Sequence, residues 1–128
     1  MSSVTNIVFE ERISSLNNVL ISHHKCEDIH YVDMIWTVNI TLGPIINEYD
    51  LYYYQDISLY FPLVDGISQY KDVLWINALV PDWYCTTTVY GQKEDWVKGN
   101  FIVRILKTIE YNEKIPNVPL FCRVIAVI

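Results

Sequence analysis

The chain has 128 residues, of which 52% are hydrophobic and 19% charged, and its formal net charge is −6. That length supports one domain around one core. Abundant apolar residues with modest net charge exclude a disordered chain, and 4 glycines with 5 prolines exclude a collagen-like or linker-like one. Val, Ile, Thr, Tyr, Phe and Trp together make up 56 residues, against two alanines. β-branched and aromatic side chains suit a pleated, half-buried surface and lose rotamer freedom in helices, so the composition favours strands.

Residues 4–9 read as a short strand. Over residues 9–22 two patterns compete. Phe9, Ile13, Leu16 and Leu20 fall on one helical face, with Glu10 and Glu11 at the start and His23, His24 and Lys25 at the end, where the helix dipole favours each charge. The rival is a hairpin turning at Asn17-Asn18. The apolar face predicts a short N-terminal helix.

The segment His23–His30 gathers all three histidines of the chain and one of its three cysteines. Imidazole and thiolate are ligands for zinc and similar metals, which makes His23, His24, Cys26 and His30 a candidate metal set. In an extended chain His24, Cys26, Asp28 and His30 would point to one side. The spacing matches no standard zinc motif, and the plainer reading is a polar connector that calls for no cofactor. Histidine beside Glu27 and Asp28 also suits a pH-sensitive patch.

Residues 30–42 carry the cleanest alternation: Val32, Met34, Trp36, Val38, Ile40 and Leu42 on one face, a mixed set on the other. Gly43-Pro44 ends it. Residues 50–61 alternate again, with Ile57, Leu59 and Phe61 opposite Asp50, Tyr52, Tyr54, Asp56, Ser58 and Tyr60. Residues 72–80 are apolar on both faces, which predicts an interior strand covered on two sides. Residues 83–90 form another strand, and the charged loop 92–98 has room for one helical turn around Trp96. Strands follow at 101–111 and 120–128, joined through a link at 115–119 that carries Pro116 and Pro119. Trp36 and Trp75 read as core, and Trp96 as the tryptophan most open to solvent.

Strands at this spacing, with no long helix after residue 30, predict a single mainly-β domain. We expect an antiparallel sandwich or partly open barrel of six to seven strands. Parallel βαβ connections need crossovers that the spacing does not provide. Polar residues interrupt every apolar run well short of a membrane-spanning helix. The N-terminal residues lack a basic segment followed by an apolar one, so no signal peptide is expected. An intracellular, cytoplasmic setting follows as the expectation, in which Asn39-Ile40-Thr41 is a chance sequon and Cys26, Cys85 and Cys122 are free thiols.

The net negative charge arises wholly from residues 1–64; in the second half acids and bases balance. No basic footprint for nucleic acid is visible. Nor is there a nucleophile elbow, phosphate loop, H-E-x-x-H or dinucleotide fingerprint, so no enzyme activity is expected. His24 near Cys26 is a weak nucleophile–base pairing. The acidic half and the tyrosine stripe point instead to protein contact, since tyrosine joins apolar area to a polar tip and is enriched at interfaces. The candidate contact residues are Tyr49, Asp50, Tyr52, Tyr54, Asp56, Tyr60 and Trp96. The expectation is therefore a non-enzymatic interaction or assembly protein, contacting a protein partner or itself, with homo-oligomer formation covering part of the apolar excess. A carbohydrate platform built on the same aromatic residues is the alternative, beside the metal-binding reading. Abundant Ile, Asn and Tyr with scarce Ala and Gly reflect an A/T-rich genome, as in many viruses and mobile elements.

Overall fold

A computed structural model describes residues 6–10, 19–42, 53–81, 85–107 and 115–128. In chain order the elements are β1 (Asn6–Glu10), β2 (Leu20–Cys26), β3 (Ile29–Leu42), β4 (Tyr53–Tyr60), β5 (Asp72–Leu79), β6 (Cys85–Tyr90), the single turn α1 (Lys93–Trp96), β7 (Asn100–Lys107) and β8 (Ile115–Val127). They form two four-stranded sheets, β1-β4-β7-β6 and β2-β3-β8-β5. All pairings are antiparallel except that of β1 with β4. The mainly-β expectation is met as a sandwich of two sheets, without closure into a barrel. None of the described helices is long and apolar enough to cross a membrane.

Alternation dictates the layering. The inward residues of β3 (Val32, Met34, Trp36, Ile40, Leu42) and of β8 (Val118, Leu120, Cys122, Val124, Ala126) face Ile57 and Leu59 of β4 and Phe101, Val103 and Ile105 of β7. Trp36 spans the gap, with its ring centroid 6.4 Å from that of Phe61 and 6.2 Å from that of Phe101. Gln55, fully buried, links the sheets by a hydrogen bond from Nε2 to the Thr41 carbonyl oxygen of 2.8 Å, which satisfies a group whose burial would otherwise be costly.

Four expectations are corrected. The helix expected over 9–22 gives way at both ends: residues 9–10 belong to β1 and 20–22 to β2, while 11–18 lie outside the described residues. β2 is the strand added to the expected set, and its hairpin with β3 turns at Glu27-Asp28, with Glu27 at φ 56°; the rival turn at Asn17-Asn18 lies outside the described residues. Residues 115–119 are not a link but the first part of β8. β5 reaches β8 only from Phe121 onward, so Pro119, opposite Asn39, has β3 as its single neighbouring strand. Its missing N–H falls on that open side, where a proline is tolerated. Finally, β5 is not an interior strand. It is the outer member of its sheet, and its outward side chains are exposed.

Candidate protein-interaction face

The sheet β2-β3-β8-β5 packs one face on the core and turns the other outward. Register sets the outward side chains in cross-strand rows. Leu20 lies opposite Ile35, which lies opposite Arg123 and then Asn77. Asp33 lies opposite Ile125 and then Trp75, and Thr37 opposite Phe121 and then Leu79. Most outward sheet faces alternate toward polar residues, yet here Leu20 is 72% exposed, Trp75 and Leu79 53%, and Ile35 and Phe121 47%. A bulge between Val73 and Trp75 leaves Leu74 exposed beside them. The upper part of the face holds a shallow depression of about 420 Å³ lined by Leu20, Ile35, Trp36, Thr37 and Asn39.

One ion pair sits among these apolar groups. Arg123 donates from Nε to Asp33 Oδ1 at 3.1 Å and from Nη2 to Oδ2 at 2.7 Å. This two-point geometry fixes a planar guanidinium against a planar carboxylate. The hydrogen bonds from Arg123 hold the Asp33 carboxyl below the usual carboxylate range, against a smaller opposing effect of burial. Asp33 is largely covered and Arg123 half exposed.

The tyrosine stripe has a different setting. Tyr49, Asp50 and Tyr52 lie outside the described residues, and Tyr54 is described by its backbone alone, opposite Leu106 in β7. Asp56 is only 7% exposed. Arg104, directly across on β7, donates to it from Nε and Nη2 at 2.8 and 2.9 Å, and the guanidinium lies 4.7 Å from the Tyr90 ring centroid. That carboxylate is therefore engaged within the chain rather than turned to a partner. Tyr60 is half-buried at the end of β4. Trp96 is half-buried too, with Nε1 donating to the Tyr90 carbonyl oxygen at 3.3 Å. Trp75, expected in the core, is 53% exposed because register sets it on the outward, uncovered face of its sheet.

The histidine segment forms the β2–β3 hairpin, and the turn splits the candidate metal set. His23 lies opposite Val32, and its Nδ1 is 3.1 Å from His30 Nε2. Asp65 Oδ2 stands 4.0 Å from the same nitrogen. His24 and Cys26 alternate to the other face, where His24 stacks on Tyr31 at 5.1 Å between centroids. The expected side-sharing of His24, Cys26 and His30 fails because the chain reverses between Cys26 and Ile29. Among the described residues no group of three such side chains is arranged to hold a metal. The His24–Cys26 pairing has no hydrogen bond between its members, and buried Cys122 has its thiol pushed up to about 12 by desolvation, far from a reactive thiolate.

The apolar face was visible in the sequence only in part. The two-sided pattern of 72–80 signalled excess apolar surface, but pattern alone cannot tell a strand covered on both faces by its own fold from one with an open apolar side. Comparison with protein-family models, curated proteins and solved structures finds no match to this chain.

Proposed function

We propose that the protein is a non-enzymatic interaction or assembly module whose working surface is the outward face of β2-β3-β8-β5. The observation that carries this reading is the row pattern of exposed Leu20, Ile35, Trp75, Leu79 and Phe121 around the Asp33–Arg123 pair. Contiguous exposed apolar groups interrupted by few polar ones mark contact surfaces rather than ordinary solvent-facing sheet. Trp75 and Phe121 are the natural anchors, since large rings dominate interface energetics. This face offers open apolar area and a carboxylate–guanidinium pair within reach of a partner. The setting suits a component of a viral or mobile-element assembly, as the codon bias of the composition also does.

The test is a double variant, Trp75→Lys with Phe121→Lys. Both side chains are outward, so the far-ultraviolet circular dichroism and melting midpoint should stay close to those of the parent. Association should fall sharply, whether read as self-association by light scattering or as capture of a partner that binds the parent protein. A folded variant that keeps all of the parent's associations overturns the reading.

A further inference from the structure

Resting on that reading, we propose that the occupant of this face is a second copy of the same chain, related by a two-fold axis that sets Arg123 of each copy against Asp33 of the partner subunit. Three observations converge on it.

The first is charge. The chain carries −6 in all, so two copies repel through most of their surfaces. Among the described residues the outward face of β2-β3-β8-β5 has both its carboxylates paired, Asp33 with Arg123 and Asp72, in the row of Val127 and Tyr31, with Lys93, while Glu27 and Asp28 sit at the hairpin turn and Glu94 and Asp95 in α1. A basic partner attracted by the acidic body would find no unpaired acid on this face. A copy bearing the same neutral face meets the least repulsion here.

The second is hydrogen-bond capacity. A guanidinium has five N–H donors. Arg123 uses Nε and Nη2 on Asp33, and among the described residues Nη1 has no acceptor. An uncharged surface laid over the pair would desolvate it and return nothing. A two-fold copy returns a carboxylate to each arginine, because in an isologous contact residue i meets j and j meets i. Asp33 and Arg123 lie on neighbouring strands in adjacent rows, so an axis passing between them places both crossed pairs at once.

The third is area. Leu20, Ile35, Trp75, Leu79 and Phe121 are each about half exposed or more, offering on the order of 100 Å² apiece. With the polar residues between them the face approaches the roughly 800 Å² that each partner contributes to a standard interface.

Sedimentation velocity over a concentration series tests this. The parent protein should sediment at twice the monomer mass. Asp33→Arg and Arg123→Asp should each weaken self-association at least tenfold, since like charges then face each other. An equimolar mixture of the two should recover the dimer, because each guanidinium again faces a carboxylate. The combined variant Asp33→Arg/Arg123→Asp keeps an ion pair within the chain and therefore serves if a single variant fails to fold. It should dimerise with itself but not mix with the parent. A parent protein that stays monomeric throughout overturns the proposal. So does a dimer whose single variants associate like the parent, or a combined variant that mixes freely with the parent. If the parent is monomeric yet captures another protein and loses it in the Trp75→Lys/Phe121→Lys variant, self-pairing is wrong while the face remains an interaction surface.

Discussion

Gly99 has φ +89°, and a Cβ there would stand 2.5 Å from the Phe61 carbonyl oxygen. The neighbouring peptide cannot retreat, because Phe61 N–H donates to the Gly99 carbonyl at 2.8 Å. Gly99→Ala should therefore cost about 2 kcal/mol or more, seen as a lower urea midpoint with an unchanged slope. Tyr70 poses a complementary case. Its ring is fully buried against Phe61, at 5.7 Å between centroids, and its hydroxyl donates to the Pro62 carbonyl. Tyr70→Phe leaves that acceptor without its donor and should cost about 1–2 kcal/mol. Burial also pushes the Tyr70 hydroxyl up to about 12, whereas in an unfolded chain it ionises near 10. The folded state thus holds this proton more tightly. Its contribution is complete below about 10 and is lost as pH rises toward 12. The Phe variant should lose less stability than the parent over that window, measured by urea unfolding at stepped alkaline pH.

At the level of elements, the contact between β3 and β8 joins an apolar inner ladder to an outer ion pair. The lowered Asp33 carboxyl contributes stability that is present above its unfolded value near 3.9 and is lost as pH falls through the folded one. Asp33→Asn should cost about 0.5–1 kcal/mol at neutral pH, the worth of a partly exposed pair. In dilute solution the gap from the parent should close on acidification below the usual carboxylate range. The same two strands show what a sequence can disclose. The alternation of 30–42 gave β3 and its inner face almost residue by residue, because one side of that strand is wet and the other dry. Pro116 and Pro119 mask the first part of β8 in the sequence, since prolines normally end strands and their tolerance here depends on where β5 stops. β2 was missed because Ser22, His23, His24 and Lys25 carry no alternation; pairing with β3 holds it in place. The candidate site fared similarly. Its apolar excess was legible, but its location needed the strand order, and the exclusion of His24 and Cys26 from the His23–His30 pair needed the position of one turn.

For the whole molecule, the sandwich separates two kinds of surface. On the β1-β4-β7-β6 side the Asp56 carboxylate is buried in its pair with Arg104, whose guanidinium lies against the Tyr90 ring. On the β2-β3-β8-β5 side Arg123 of the corresponding pair is half exposed among apolar groups, while Asp33 is largely covered. Raised salt separates two effects on the proposed assembly. Screening reduces the general repulsion between acidic bodies, while a dry apolar contact is insensitive to it or strengthened. Dimerisation of the parent protein should therefore hold or tighten as sodium chloride is raised, measured by sedimentation. A steep weakening would mean that exposed charge, not the apolar rows, provides the attraction.

The position of β8 has a kinetic consequence. It enters between β3 and β5, pairing Val127 with Tyr31 and with Asp72, so the sheet closes through contacts between distant parts of the chain. Loop-closure entropy must be spent before such contacts reward it, which places folding in the millisecond-to-second range rather than the microsecond one. Until β8 arrives, β3 and β5 each lack a neighbour along an apolar strand. The nascent chain is then most exposed to intermolecular strand pairing, and β8 is the segment whose arrival ends that risk.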